Sequence, residues 1–101
     1  MLDAALEIQH YARSSTRDDL SSDRKLLHSL VRLLEIIGEA ASQVSAELRD
    51  QAPEIPWDIM VGMRNRLVHA YFAINLKIVW STSTEDIPPL IAALERLLSE
   101  Q

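Results

Sequence analysis

No cysteine occurs among the 101 residues. That excludes a disulfide framework and a thiolate metal site, and it fits a reducing compartment. With two glycines and four prolines, the chain has little material for hairpin turns, so long helices are expected instead. No apolar run approaches the ~20 residues of a membrane span. The N-terminus has no basic region followed by a hydrophobic one, so no secretory segment is expected either, and a cytoplasmic location is the default. Basic charge is in deficit, with ten Lys and Arg against fifteen Asp and Glu, a net charge of −5. A general nucleic-acid coat would be basic, so DNA is not an expected partner, but an acidic body can still carry a focused basic site. What is present, 48% hydrophobic and 25% charged residues, suits one folded domain over residues 1–101.

Leu2 to about Arg13 reads as a short amphipathic helix with Leu2, Ala5, Leu6 and Gln9 along one side. Ser14 to Ser22 is polar and reads as a loop, with a helix start at Asp23. From Asp23 to about Gln51 the apolar residues, among them Leu26, Leu30, Val31, Leu34, Ile37 and Val44, cover most of a helical circumference. The rest is a polar stripe through His28, Arg32, Glu35 and Glu39. One neighbour cannot cover so wide a face, so this is the central helix of a bundle or one that also meets a partner. Gly38, Ala40 and Ala41 would allow close helix approach, and an internal glycine implies a packing reason. A connection bounded by Pro53 and Pro56 leads to a helix from about Pro56 to Tyr71. Asn75 can cap another helix from Leu76, and Pro88-Pro89, preceded by the candidate cap Asp86, must break or kink whatever precedes them. A last helix to about Ser99 would bury Ile91, Leu94, Leu97 and Leu98. The expected fold is all-α, an up-and-down bundle of four to five helices.

Most of the chemistry lies in Gly62–Phe72. On a helix, Trp57, Met60, Val61, Arg64, Leu67, Val68, Tyr71 and Phe72 would share one face, with Asp58, Asn65 and His69 on a neighbouring line. Arg64 is then a charge in an apolar stripe, which is expensive if unpaired. Metal-free RNA cleavage could use these side chains. Attack by a ribose 2′-hydroxyl needs a base, an acid and positive charge at the phosphate. Histidine can fill either proton-transfer role, and arginine matches phosphate oxygens. Asn65, four residues before His69, could orient its ring, and Arg66 is a candidate phosphate contact. Each chain offers one histidine here, so a two-fold dimer would supply two Arg64–His69 sets to one cleft. Other readings stay open on these residues alone: His69 as a surface or core residue, Arg64 as a buried ion pair with Glu35 or Glu39, and Tyr71 as an ordinary core residue. No pattern of metal ligands is recognisable, and none is expected; no glycine-rich phosphate loop occurs and no cofactor is called for.

Arg64, His69 and Tyr71, in this order and spacing, resemble the signature of HEPN-domain proteins of the HepT toxin family. Leu34-Glu35-Ile36-Ile37-Gly38-Glu39-Ala40, Pro53-Glu54-Ile55-Pro56-Trp57, Val79-Trp80 and Thr84-Glu85-Asp86 resemble it too, so the similarity spans about Leu26 to Leu98. The resemblance implies a HEPN-like helical homodimer and metal-independent endoribonuclease activity, with Arg64 and His69 catalytic and Asn65 supporting. It also implies a cognate minimal nucleotidyltransferase as antitoxin, able to transfer AMP to Tyr71. Phosphate charge and bulk placed there would oppose RNA binding. The competing expectation is a non-catalytic helical subunit that binds a nucleotidyltransferase or a nucleotide.

Overall fold

The computed structural model describes residues 1–69 and 73–100, and side chains at all of these except Arg64, Val68, His69 and Ala73. Helix α1 covers Leu2–Arg13, as its spacing predicts, but its buried line runs through Ala4, Ala5 and Ile8. Leu6, expected on the inner side, remains 42% exposed. The alanines let α1 lie close against α3 (Arg24–Ser42) and α8 (Ile87–Ser99). The stretch expected as a loop contains a short helix, α2, at Asp19–Ser22. The Thr16 N–H donates to Asp19 Oδ2 at 2.7 Å, and Leu20 enters the core. One buried leucine is enough to order a polar segment against α3.

Helix α3 begins where Asp23 Oδ1 accepts the Leu26 N–H at 3.1 Å, satisfying one of the unpaired donors of the first turn. It buries Leu26, Leu30, Val31, Leu33, Leu34, Ile37, Gly38 and Ala41 and packs against elements before and after it in the chain. It is the central helix that its wide apolar face implies. It stops at Ser42, short of the expected Gln51. Ser45 Oγ accepts the Leu48 N–H at 3.2 Å and starts α4, Ala46–Asp50. Arg49 then reaches back, donating from Nη2 to Ala41 O at 3.0 Å and from Nε to Val44 O at 3.1 Å. Those carbonyls belong to the helix end, where a cation is favoured. The same guanidinium lies 5.8 Å from the Trp57 ring centroid.

In the C-terminal half, Asn75 Oδ1 accepts the Ile78 N–H at 3.1 Å and starts α7, Leu76–Ser81, as expected. The break expected at Pro88-Pro89 takes another form. Residues Thr82–Asp86 are a π-helical segment that runs into α8, and the Ile87 N–H bonds to the Thr82 carbonyl. A proline ring clashes with the carbonyl four residues back, and one widened turn relieves the conflict without ending the helix. Asp86 therefore makes no side-chain cap. Helix α8 buries Ile87, Leu90, Ile91, Ala93, Leu94 and Leu97, whereas Leu98, expected inside, is 56% exposed.

The fold is all-α, but more finely divided than four or five helices. Among the described residues eight α-helical segments occur, four of them only four or five residues long, with one π segment and one two-residue antiparallel ladder. None of these helices is long and apolar enough to cross a membrane.

Candidate functional site

The site is built on the stretch after Pro56. Helix α5 covers Trp57–Val61 and α6 covers Met63–Leu67, separated at Gly62. The Gly62 carbonyl accepts the N–H groups of Asn65 at 3.1 Å and Arg66 at 3.3 Å, so the chain re-enters a helix at once. Met60, Met63 and Leu67 are the buried anchors. A Cβ built on Gly38 of α3 would lie 2.7 Å from Met60 O and 3.5 Å from Met63 Cβ. The glycine thus has its packing reason: the α5–α6 backbone is seated directly on α3. Trp57 holds the other end of α5, its indole Nε1 donating to Ala52 O at 3.1 Å.

The expected continuous helix to Tyr71 ends at Leu67. From there Val68–His69 form strand β1, paired antiparallel with β2, Ala73–Ile74, in the register Val68 to Ile74 and His69 to Ala73. The Leu67 carbonyl accepts the Asn75 N–H at 2.8 Å. That bond fastens the end of α6 to the start of α7. It also overturns the expected wheel. Arg64 and Asn65 lie on a helix, His69 lies on a strand, and the i, i+4 relation between Asn65 and His69 is not formed. Val61, placed on the inner face by the wheel, is 42% exposed, and Met63 is buried instead.

Asn65 and Arg66 are exposed. The side chains of Arg64 and His69, and all of Tyr71, lie outside the described residues, so the Arg64 pairing with Glu35 or Glu39 has no structural account. Glu39 makes a solvent-exposed ion pair with Arg32 at 3.6 Å, of the kind that contributes little. His28, on the same face of α3, is exposed. Arg66 shares one side of α6 with Met63, and both line a groove formed with α5 and α8. Helical spacing alone would have grouped those two residues, three apart, but the groove exists because α8 supplies another of its walls. Beyond its rim, Arg96 is bound by Glu54 and by Glu100. The hydrogen bond it donates to Glu54 first, then that to Glu100, raises its pKa.

The arrangement sets a helix end carrying Arg64 and a strand carrying His69 on a scaffold of buried methionine and leucine side chains, and it leaves Asn65 and Arg66 facing solvent. Comparison with known proteins agrees with what these residues suggest. The Ribonuclease HepT-like family model matches residues 1–97. The chain is 39% identical over 90 residues to a probable ribonuclease HepT of Thermococcus cleftensis, covering 89% of this chain and 82% of that one. It is 37% identical over 84 residues to a putative RNase of Caldanaerobacter subterraneus subsp. tengcongensis, covering 83% and 75%. It is also 30% identical over 95 residues to a putative RNase of Methanocaldococcus jannaschii, covering 94% and 87%. No solved structure matches it. With a helical scaffold that holds the Arg64–His69 segment and a family match over nearly its whole length, the chain belongs to the Ribonuclease HepT-like family.

Proposed function

We propose that the chain is the toxin of a toxin–antitoxin pair, a metal-independent endoribonuclease in which Arg64 and His69 of two copies share one cleft. The observation that carries this reading is membership of a toxin–antitoxin-associated endoribonuclease family over residues 1–97, with the Arg64, His69 and Tyr71 set intact. The chemistry follows from the residue types. A neutral imidazole takes the proton of the ribose 2′-hydroxyl, whose oxygen attacks the adjacent phosphorus. A protonated imidazole gives its proton to the departing 5′-oxygen, and the products are a 2′,3′-cyclic phosphate and a free 5′-hydroxyl. Arg64 stabilises the charge that builds on the phosphoryl oxygens.

One imidazole cannot be base and acid in the same step, and each chain has one in this segment. This supports a second copy as the source of the other. Ile59 and Val61, two large apolar residues both exposed on α5 just before the motif, support a protein partner at that helix. Asn65, exposed on α6, acts on substrate or on the partner's motif instead of orienting its own His69. The acidic chain, acting in the cytoplasm, meets RNA through this local cluster.

The antitoxin in this reading is a minimal nucleotidyltransferase. It transfers AMP from ATP to the Tyr71 phenolic oxygen and releases pyrophosphate. An adenylate there adds phosphate charge to the motif and competes with RNA for Arg64.

RNA cleavage in EDTA tests the activity. Cleavage with 2′,3′-cyclic phosphate ends is expected from the natural chain and not from His69→Ala. An RNA with a 2′-deoxyribose at the scissile position should resist; equal cutting of that substrate would eliminate the 2′-hydroxyl mechanism. If no RNA is cut while a nucleotidyltransferase still binds the His69→Ala chain, the protein is a binding subunit.

A further inference from the structure

The hydroxyls of Thr82 and Ser83 are buried, and neither has a hydrogen-bond partner among the described residues. Their neighbours are satisfied: Ser81 Oγ donates to Ile78 O at 3.4 Å and Thr84 Oγ1 to Trp80 O at 2.8 Å. A buried hydroxyl with no partner is destabilising, and valine in its place would remove the penalty. Thr82 is 1% exposed and forms part of the groove between α5, α6 and α8, about 410 Å³ in volume. Leu34 and Ile37 of α3 also line it, with Met60, Met63 and Leu90 as apolar walls. That is the size and character of a small-molecule site.

Among the described residues, three charged side chains line this groove. Glu54 is held by Arg96. Arg66 and Asp86 are exposed, and neither has an ion pair among the described residues. Among the described residues, one free cation, one free anion, an apolar interior and a buried hydroxyl form a specific donor set. We propose that the groove binds a small apolar zwitterion, an aromatic or branched amino acid or a dipeptide of such residues. Its carboxylate pairs with Arg66, its ammonium group with Asp86, and its side chain lies against Met60, Met63 and Leu90. A turn of about 120° about χ1 carries the Thr82 Oγ1 toward the ligand. The inference does not depend on ribonuclease activity, since its readout is binding.

Calorimetric titration and thermal unfolding of the intact chain with four probes form the test. L-Tryptophan and L-leucyl-L-leucine are expected to bind saturably and raise Tm. N-Acetyl-L-tryptophan and L-tryptophanamide, each lacking one charge, should bind at least about tenfold more weakly than tryptophan, the scale of one lost charge-assisted hydrogen bond. Thr82→Val should raise Tm without ligand yet weaken binding several-fold. Arg66→Gln should keep Tm and weaken binding. Absence of binding by any probe at millimolar concentration, equal binding of all four, or unchanged affinity in Thr82→Val would each overturn the proposal. So would a change in particle mass by light scattering when Ala93→Phe fills the groove, which would make the groove an interface between copies.

Discussion

Helix α3 and the stretch from Trp57 to Ser81 are both rich in apolar residues, yet one is a single helix of nineteen residues and the other is broken into α5, α6, a two-stranded ladder and α7. Both contain one glycine. Gly38 leaves α3 unbroken, because the Met60 carbonyl packs where its Cβ would be and neighbouring elements hold the helix on several sides. Gly62 lies at a break, and a Cβ there would meet nothing closer than 3.5 Å. The difference therefore comes from what surrounds the glycine. A helix enclosed by neighbours tolerates a residue of poor propensity. A stretch packed on one side follows its local signals, here the β-branched Val68 and the Asn75 cap. The motif residues belong to the second kind of stretch, where regularity is lower and function is commonly placed.

That contrast can be broken at four points. The largest effect is expected from the motif itself: His69→Ala or Arg64→Ala should lower RNA cleavage by roughly 10²–10⁴-fold. Tm should barely change, because the scaffold is carried elsewhere; a parallel fall in Tm would assign these residues to the core. Leu67→Ala comes next. Its side chain is 0% exposed at the point where α6 meets the ladder, so a loss of about 2–5 kcal/mol in urea unfolding is expected. Gly38→Ala should destabilise by about 1–3 kcal/mol, because a Cβ 2.7 Å from the Met60 carbonyl forces α5 away from α3. A neutral result would mean that the two elements are not seated on one another as described. The smallest effect is expected from Asn75→Ala, about 1 kcal/mol for a lost helix cap. Cleavage should fall more than that stability loss explains if the α6–α7 junction aligns the motif, and equal losses would show that it does not.

The legibility of the site divides along the same line. The start of α3 at Asp23, the start of α7 at Asn75 and the need for close packing at Gly38 were readable, because each depends on a residue and its immediate neighbours. On α1, Leu2 and Ala5 were placed on the inner side correctly but Leu6 was not, because Leu6 outweighs Ala4 in hydrophobicity while contact distance favours the smaller side chain. Arg49 closing the end of α3 was not readable, since its partners Ala41 and Val44 are set by a turn. Nor was the helix end at Leu67, which requires the Asn75 N–H to arrive from the far side of the ladder.

By itself the sequence determined the helical class, the central position of α3, and the family resemblance carried by Arg64, His69 and Tyr71 in order. These follow from hydrophobic period, capping residues and spacing, all of which are local. Only the tertiary structure decided that Arg64 and His69 belong to different elements, that prolines 88 and 89 follow a widened turn instead of a break, and that Arg66, Thr82 and Asp86 line one groove. The first depends on a hydrogen bond across the ladder, the second on how a local steric clash is relieved, and the third on packing between segments far apart in the chain, and no helical wheel contains that information.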